Sequence, residues 1–259
     1  MARSPSRLRG TPGPSGPVVL GIETGGDHLG LALWRLPEEP GSSPSQWRLL
    51  EERTSHRGHR HSTLVLGWLD EALQAHELDG DTIALIACGR GPGGFTGIRV
   101  GMSTALGLSL GLGRPVWPVD SLTALALKAP TSATAVVTMI DAKRGEVYGR
   151  GFEINDEGLP IPLFEPMVAK PAVVLGATSA ALPREVNPLI YGSGALVHGC
   201  ASDVPRGWHV PSAADVAMIG AMAWERSGRD DDAAPPADPA YVRPSDAELE
   251  AARRAEPND

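Results

Sequence analysis

Apolar and polar positions along this chain change period several times, and each change marks an element. Residues 18–22 and 29–34 are short apolar runs on either side of Gly25, Gly26 and Asp27, the pattern of two strands joined by a turn. A third strand is predicted over 46–54, reached through a Pro/Ser/Gly loop. Ser62 is placed to cap a helix over 63–76, where Leu64, Trp68 and Ala72 form one stripe and Val65, Leu69 and Leu73 the next. Residues 83–88 read as a strand buried on both faces. A second hairpin is predicted over 135–140 and 146–154 around Lys143, Arg144 and Gly145. A strand follows at 189–193 and a helix at 213–226. Residues 155–185 hold apolar segments with no ordered period, and the Asp/Ala/Pro run 228–239 reads as a linker.

Between the strand at 83–88 and the next strand-like piece after Pro115 lies the most distinctive stretch. A loop with glycines at 89, 91, 93, 94 and 97 runs into a helix over about 96–112. Glycines in such a place let backbone N–H groups approach an anion or another chain closely. A Walker-type lysine is missing, and no Rossmann glycine pattern sits in register. The helix carries an i, i+4 apolar stripe of Ile98, Met102, Leu106 and Leu110. Beside it runs a small stripe of Gly97, Gly101, Ala105 and Ser109. Each interior glycine costs about 1 kcal/mol of helix stability relative to alanine. Close packing on more than one side has to offset that, so the helix is expected to lie between its own sheet and a neighbouring helix or partner chain. The small stripe is expected on the sheet, with Ile98, Met102 and Leu106 outside.

The 259 residues suffice for one large domain or two lobes, and 42% hydrophobic with 21% charged residues suits a globular chain. A net charge of −8 gives no general basic footprint for nucleic acid, although residues 229–259 alone carry nine acids against four arginines. Two cysteines, Cys88 and Cys200, do not form a disulfide framework. The stretch 1–17 is basic and rich in Pro and Gly, without the apolar run of a signal peptide, and reads as a disordered extension. The longest weakly polar run, 100–112, is short of the about 20 residues a membrane helix needs. A cytoplasmic protein without membrane contact is the expectation.

The order of residues in GRGPGGFTGIRVGMSTALGLSLGLGRPVWPVDSLTALA, 89–126, resembles the TsaB (YeaZ) family. That family's pattern reads roughly GPGSFTGLRIG, then a small-residue helix, a proline and a V-x-SLEALA segment. VVLGIETGGDHLGLALW at 18–34 is similar to its opening hairpin, and His61-Ser62 to the pair before its first long helix. MIDAKRGEVY at 139–148 resembles its Asp-Ala-Arg hairpin, and YVRPSDAE at 241–248 its C-terminal Tyr-x-Arg-Pro. The likeness is dense over 18–148, thin over 155–210, and returns at the tail. It implies an α/β chain with the two-lobed actin-like/sugar-kinase/Hsp70 ATPase (RNase H-like) fold. The hairpin units near 18 and 135 accord with that. The expected organisation is a first lobe over 18–120, a second over 121–228 with a last helix able to pack back on the first, and an acidic linker and tail over 229–259.

The resemblance implies a subunit of the apparatus that makes threonylcarbamoyladenosine beside the tRNA anticodon. It pairs with TsaD, with the ATPase TsaE in the same complex, forms a homodimer when alone, and meets tRNA only indirectly. Partner contacts are then expected from His61, Leu64, Trp68, Ile98, Arg99, Met102 and Leu106. A vestigial nucleotide cleft would comprise Glu23, Thr24, Asp141, Gly93 and Gly94, with ATP or ADP held weakly if at all and no cofactor required. In TsaD the strand after the Gly-rich helix leads into two metal-binding histidines. Aligned on Val119, those positions here are Ser121 and Leu125, neither of which replaces imidazole. No catalytic residue and no metal site is therefore expected. His56, His59 and His61 have zinc-like spacing, but two intervening arginines and no carboxylate make a solvated loop the better reading. Two enzyme readings stand as rivals. One is an actin-like-fold ATPase or phosphotransferase with Glu23 and Asp141 holding Mg²⁺, and the other is a metallopeptidase, which the missing histidines disfavour.

Overall fold

The computed structural model of the chain describes residues 16–26, 28–55 and 61–242, with side chains from residue 64 in the last stretch. The histidines at 56 and 59, the side chain of His61 and the motif beyond Val242 lie outside the described residues.

Two five-stranded sheets carry the chain. The first has the order β3-β2-β1-β4-β5, from β1 Val18–Glu23, β2 Leu29–Arg35, β3 Arg48–Ser55, β4 Ile83–Gly91 and β5 Val116–Asp120. The first three strands pair antiparallel, and β4 and β5 add in parallel. The second sheet runs β10-β6-β7-β8, with β9 also on β7. Its strands are β6 Ala135–Asp141, β7 Val147–Ile154, β8 Pro160–Pro162, β9 Met167–Ala169 and β10 Leu189–Tyr191. Both sheets centre on an antiparallel hairpin whose first strand takes a parallel neighbour on its other side, so the hairpin units near 18 and 135 occupy equivalent places. The unordered stretch 155–185 resolves into β8, β9 and a helix, α4 Pro171–Ala181. The two strands are only three residues long, too short to show a period in sequence.

Helices cover both faces of the first sheet. On one face, α1 His61–Ala75 and α2 Phe95–Leu112 pack over Leu20, Ile22, Leu31 and Ile86. On the other, α6 Ala213–Arg226 meets Val19, Leu85 and Ala87 with Val216, Ala217 and Trp224. Burial on both faces explains why β1 and β4 read as continuous apolar runs. Gly21 marks where α6 comes closest, since a Cβ there would overlap the Ala213 carbonyl and lie 2.7 Å from the Ala217 methyl. Helix α6, which follows the second sheet in sequence, thus belongs spatially to the first. Helix α3 Ser121–Ala126 packs on the second sheet with Leu122 and Leu125, while α4 and α5 Ser193–Val197 cover its other face. Among the described residues no helix is long and apolar enough to cross a membrane.

The faces of α2 differ from expectation. Ile98, Gly101, Met102 and Ala105 are buried, whereas Leu106 is 42% and Leu110 89% exposed. An i, i+4 row advances about 40° per step around a helix of 3.6 residues per turn. Over four members the apolar row therefore winds from the core to the surface. Ile98 and Met102 are consequently core residues and not partner contacts. Leu64 and Trp68 of α1 also pack against the first core and stay only half-buried.

The run 228–239 departs from the linker reading. It holds one short 3₁₀ turn, Asp231–Ala233, and lies along the first lobe, with Ala237 packed on its core.

Met102→Arg puts a charge into the α1/α2 core and should lower stability by at least about 3 kcal/mol. Gly101→Leu should do likewise, because its side chain would overlap Thr24. Leu110→Arg, on the exposed face, should leave the melting temperature within error. Thermal denaturation followed by circular dichroism reads all three.

Candidate functional site

A cleft of about 460 Å³ opens between the lobes. One wall is the β1–β2 turn with Gly25 and Gly26, and beside it the Gly-rich loop with Gly93 and Gly94 opens helix α2. The opposite wall is the β6–β7 hairpin with Asp141, Lys143 and Arg144, together with Ser193 at the start of α5 and His209. These elements meet because each sheet projects the turn of its central hairpin toward the other lobe.

The Gly-rich loop takes its shape from the β1 end. The Gly94 N–H donates to the Gly25 carbonyl at 2.6 Å, and the Thr24 hydroxyl donates to the Gly97 carbonyl at 2.7 Å. A Cβ at Gly97 would overlap the Thr24 carbonyl, and one at Gly101 the Thr24 hydroxyl. The first half of the small stripe is thus the imprint of Thr24. Helix α2 thereby points its N-terminus into the cleft, and an 18-residue helix presents partial positive charge there. Lys143 and Arg144 add positive charge from the hairpin tip, both with positive φ, 61° and 57°.

The two expected carboxylates behave differently. Asp141 lines the cleft, and its carboxylate accepts the Lys143 backbone N–H at 2.9 Å and the Lys143 ammonium at 2.8 Å. Burial pushes its pKa up, but the hydrogen bonds and charge of Lys143 outweigh that and hold it below the ordinary aspartate value. Glu23 does not reach the cleft, and Thr24 is buried with it. The Glu23 carboxylate lies fully buried behind the cleft wall, accepting the Gly25 N–H at 2.6 Å and the Ser121 hydroxyl at 2.9 Å. Burial raises its pKa, and the hydrogen bonds from Gly25, Ser121 and Thr24 offset only part of the rise. The pairing of Glu23 with Asp141 around one metal is therefore not formed. Among the described residues Asp141, paired with Lys143, is the one carboxylate of this glycine-lined cleft, an arrangement that suits the binding of an anion better than a Mg²⁺-dependent transfer.

Ser121 and Leu125 have structural work. Ser121 ties α3 to Glu23, and Leu125 is fully buried in the core of the second lobe. Among the described residues no three His, Cys, Asp or Glu side chains converge as metal ligands do. Sequence reasoning missed His28 and His209, both buried in the cleft wall. His28 Nε2 lies 2.7 Å from the Pro211 carbonyl, and His209 Nδ1 accepts the Gly192 N–H at 3.2 Å. Isolated histidines in turns carry no periodic signal, and only the packing of 206–211 against the β1–β2 turn and the start of α5 reveals them. Arg99 is exposed, but its Nε donates to the Tyr241 hydroxyl at 2.9 Å and its guanidinium lies 3.8 Å from the Phe95 ring centroid.

Glu23→Gln keeps both hydrogen bonds, because the amide oxygen accepts from Gly25 and the amide NH₂ donates to Ser121. A raised folded-state pKa makes the stability from Glu23 complete below the ordinary glutamate value and lost as pH rises through the folded value. The melting temperature of the variant should therefore gain on that of the native chain as pH rises above the ordinary glutamate value. A gap that does not change with pH would show that Glu23 titrates normally.

The family model described as "TsaD: tRNA N6-adenosine threonylcarbamoyltransferase" matches residues 51–221. The tRNA threonylcarbamoyladenosine biosynthesis protein TsaB of Escherichia coli is 30% identical over 158 residues, 60% of this chain and 64% of that protein. The Haemophilus influenzae protein of the same name is 43% identical over 90 residues, 34% of this chain and 38% of its own. The chain thus spans less than two thirds of the length of these curated relatives. A crystal structure of a Pseudomonas aeruginosa protein, described as similar to the peptidase YEAZ, superposes with a TM-score of 0.70 at 25% identity, covering 88% of this chain and all of that one. YeaZ from the same organism gives 0.65 at 24% identity over 87% and 99%, a likeness of fold. The two-lobed α/β fold expected from the motifs is the one observed. With the family model spanning most of the chain and its matches carrying the TsaB and YeaZ names, the chain belongs to the TsaD family, on its TsaB/YeaZ branch.

Proposed function

We propose that this chain serves the synthesis of N6-threonylcarbamoyladenosine in tRNA as a non-catalytic subunit that docks on a TsaD homologue through the outer face of α1 and α2. The observation that carries the reading is the surface of those helices. Leu66 is 51%, Leu106 42% and Leu110 89% exposed, while Gly67, Gly107 and Gly111 leave open space around them. Leucines beside bare backbone form the ridges and grooves that a partner helix fills. The partner contacts are thereby reassigned from Leu64, Trp68, Ile98 and Met102 to these residues, with Leu106 retained. The same face serves a homodimer when the chain is alone, TsaE joins the paired subunits, and tRNA contacts fall to the partner.

The absence of a catalytic role is supported by the chemistry of the residues present. Ser121 and Leu125 stand where the TsaD pattern has metal-binding histidines, and Glu23 is committed to internal hydrogen bonds. The cleft's glycine loop, helix N-terminus and hairpin cations are consistent with weak ATP or ADP binding, without turnover.

The doubly substituted Leu106→Arg/Leu110→Arg chain should fold normally and lose the TsaD homologue. Burying unpaired charge there costs about 3 kcal/mol or more, on the order of a hundredfold in Kd. Size-exclusion chromatography and calorimetry with the homologue read the loss. In a reconstituted assay with the TsaD and TsaE homologues and threonylcarbamoyl-adenylate, the native chain should be required and inactive by itself. Full modification without it, or modification by it alone, would overturn the proposal.

A further inference from the structure

Beyond α6, residues 227–242 stay on the first lobe. The root of this segment is fixed by Arg229, whose guanidinium donates to the carbonyls of Pro37 at 2.7 Å and Glu38 at 2.6 Å and to the Glu225 carboxylate. Trp224 Nε1 donates to Asp231 at 3.1 Å just beyond. The segment then passes from the α6 side of the sheet to the α1/α2 side, where Ala237 rests on the core. Among the described residues, two contacts of a different kind hold residues 240 and 241. The Ala240 N–H donates to the Arg90 carbonyl at 2.8 Å, a group beside the register shift between Gly89 and Gly91 in the β4–β5 ladder. The Tyr241 ring lies 5.2 Å from that of Phe95, and Arg99 clasps both through its bond to the Tyr241 hydroxyl and its place over Phe95. Ala240, Tyr241 and Val242 form part of the cleft lining, opposite Ser193 and the β6–β7 hairpin.

We propose that residues 239–242 form a latched lid over the interlobe cleft, held shut by the Phe95–Tyr241–Arg99 stack. The geometry has the parts such a device needs. Among the described residues the root is anchored by several charged hydrogen bonds, and residues 239–242 are held to the rest of the lobe by one backbone bond and one exposed aromatic stack. The connecting run is mostly exposed, so the tip can lift without disturbing either core. Phe95 is 39% and Tyr241 47% exposed, so releasing the latch uncovers little apolar surface. Phe95 and Arg99 belong to the first turns of α2, so the lid closes on the same helix end that faces the cleft. If the docking face proposed above is correct, Arg99 shares its side of α2 with Leu106, and a partner there meets the latch directly. The lid itself does not depend on that reading.

The test uses the full chain without any partner, so it is independent of whether the docking face is right. Two measurements are made on the native chain, Tyr241→Ala, Arg99→Ala and Tyr241→Phe. The first is amide hydrogen exchange at Ala240, with Ile98 as a reference inside α2. The second is the rate at which N-ethylmaleimide labels a Ser193→Cys thiol in the cleft, with Cys200→Ser removing the half-buried native thiol. In the native chain Ala240 should be protected and the cleft thiol slow to react. Tyr241→Ala and Arg99→Ala should speed both at least tenfold, with Ile98 exchange and melting temperature unchanged. Tyr241→Phe keeps the ring and should fall between. An unprotected Ala240 in the native chain, or labelling rates unaffected by Tyr241→Ala, would overturn the lid. If Tyr241→Ala destabilises the whole chain, Tyr241→Phe decides, since loss of one exposed hydroxyl bond should speed labelling without changing the fold.

Discussion

The approach of the β1 end to helix α2 is the contact on which the first lobe and the cleft depend. Thr24 is pressed against a helix surface with no side chains at 97 and 101, and its hydroxyl bonds the Gly97 carbonyl. That contact fixes where α2 begins, because the Gly25 carbonyl one residue on receives the Gly94 N–H. It also encloses Glu23, whose carboxylate is taken out of water and has to be satisfied by Gly25 and Ser121. A methyl group at either glycine would push β1 and α2 apart. The helix N-terminus, the glycine loop and the start of α3 would lose their common reference. The glycines are unfavourable within a helix by about 1 kcal/mol each, and the packing against Thr24 is what makes them the right residues.

Glu23 also bears on what the cleft can do. A carboxylate that holds Mg²⁺ against phosphate keeps its oxygens free and charged. Here both oxygens accept hydrogen bonds from the protein, and burial favours the neutral form. Asp141, left in the cleft, is held charged by Lys143 and spends its oxygens on that residue. The two hairpins therefore retain the symmetric placement of a two-lobed ATPase while Glu23 and Asp141 are both engaged within the protein. Coupling between the lobes runs instead through neutral or compensated contacts. Lys128, just beyond α3, pairs with Asp215 at the start of α6 at 2.6 Å.

Much of this was legible from the order of residues, because some contacts leave a local trace. A strand ending in a glycine loop before a helix of small residues implies close backbone approach, and Thr24 against Gly97 and Gly101 is that approach. Equivalent hairpins near 18 and 135 were likewise readable as repeated strand-turn-strand patterns. The faces of α2 were not, because a four-residue apolar row drifts around the helix and no single side of it is the core. Glu23 and Asp141 looked alike as carboxylates ending a first strand. Only the depth of the Ser121 and Gly25 contacts separates one as a buried brace from the other as a cleft residue. The run 228–239 has the composition of a linker, and its docking depends on Arg229 and Tyr241 finding partners 191 and 142 residues away, which no local pattern reveals.

Helix α2 emerges as the element on which three demands converge. Its inner side is core, its N-terminal end is a wall of the cleft, and its outer side is an uncovered surface of leucine and glycine. Those demands divide along its length as well as around it. The first two turns serve the cleft and the latch, and the last three carry the exposed leucines. A helix with large apolar residues all round would pack tightly but leave no room for Thr24 at one end and no open backbone at the other. A helix with polar residues on its outer side would be more soluble alone and unable to bury that side against anything. The alternation of glycine with leucine is the compromise that lets one helix be part of a core, line a cleft and still present an open outer surface.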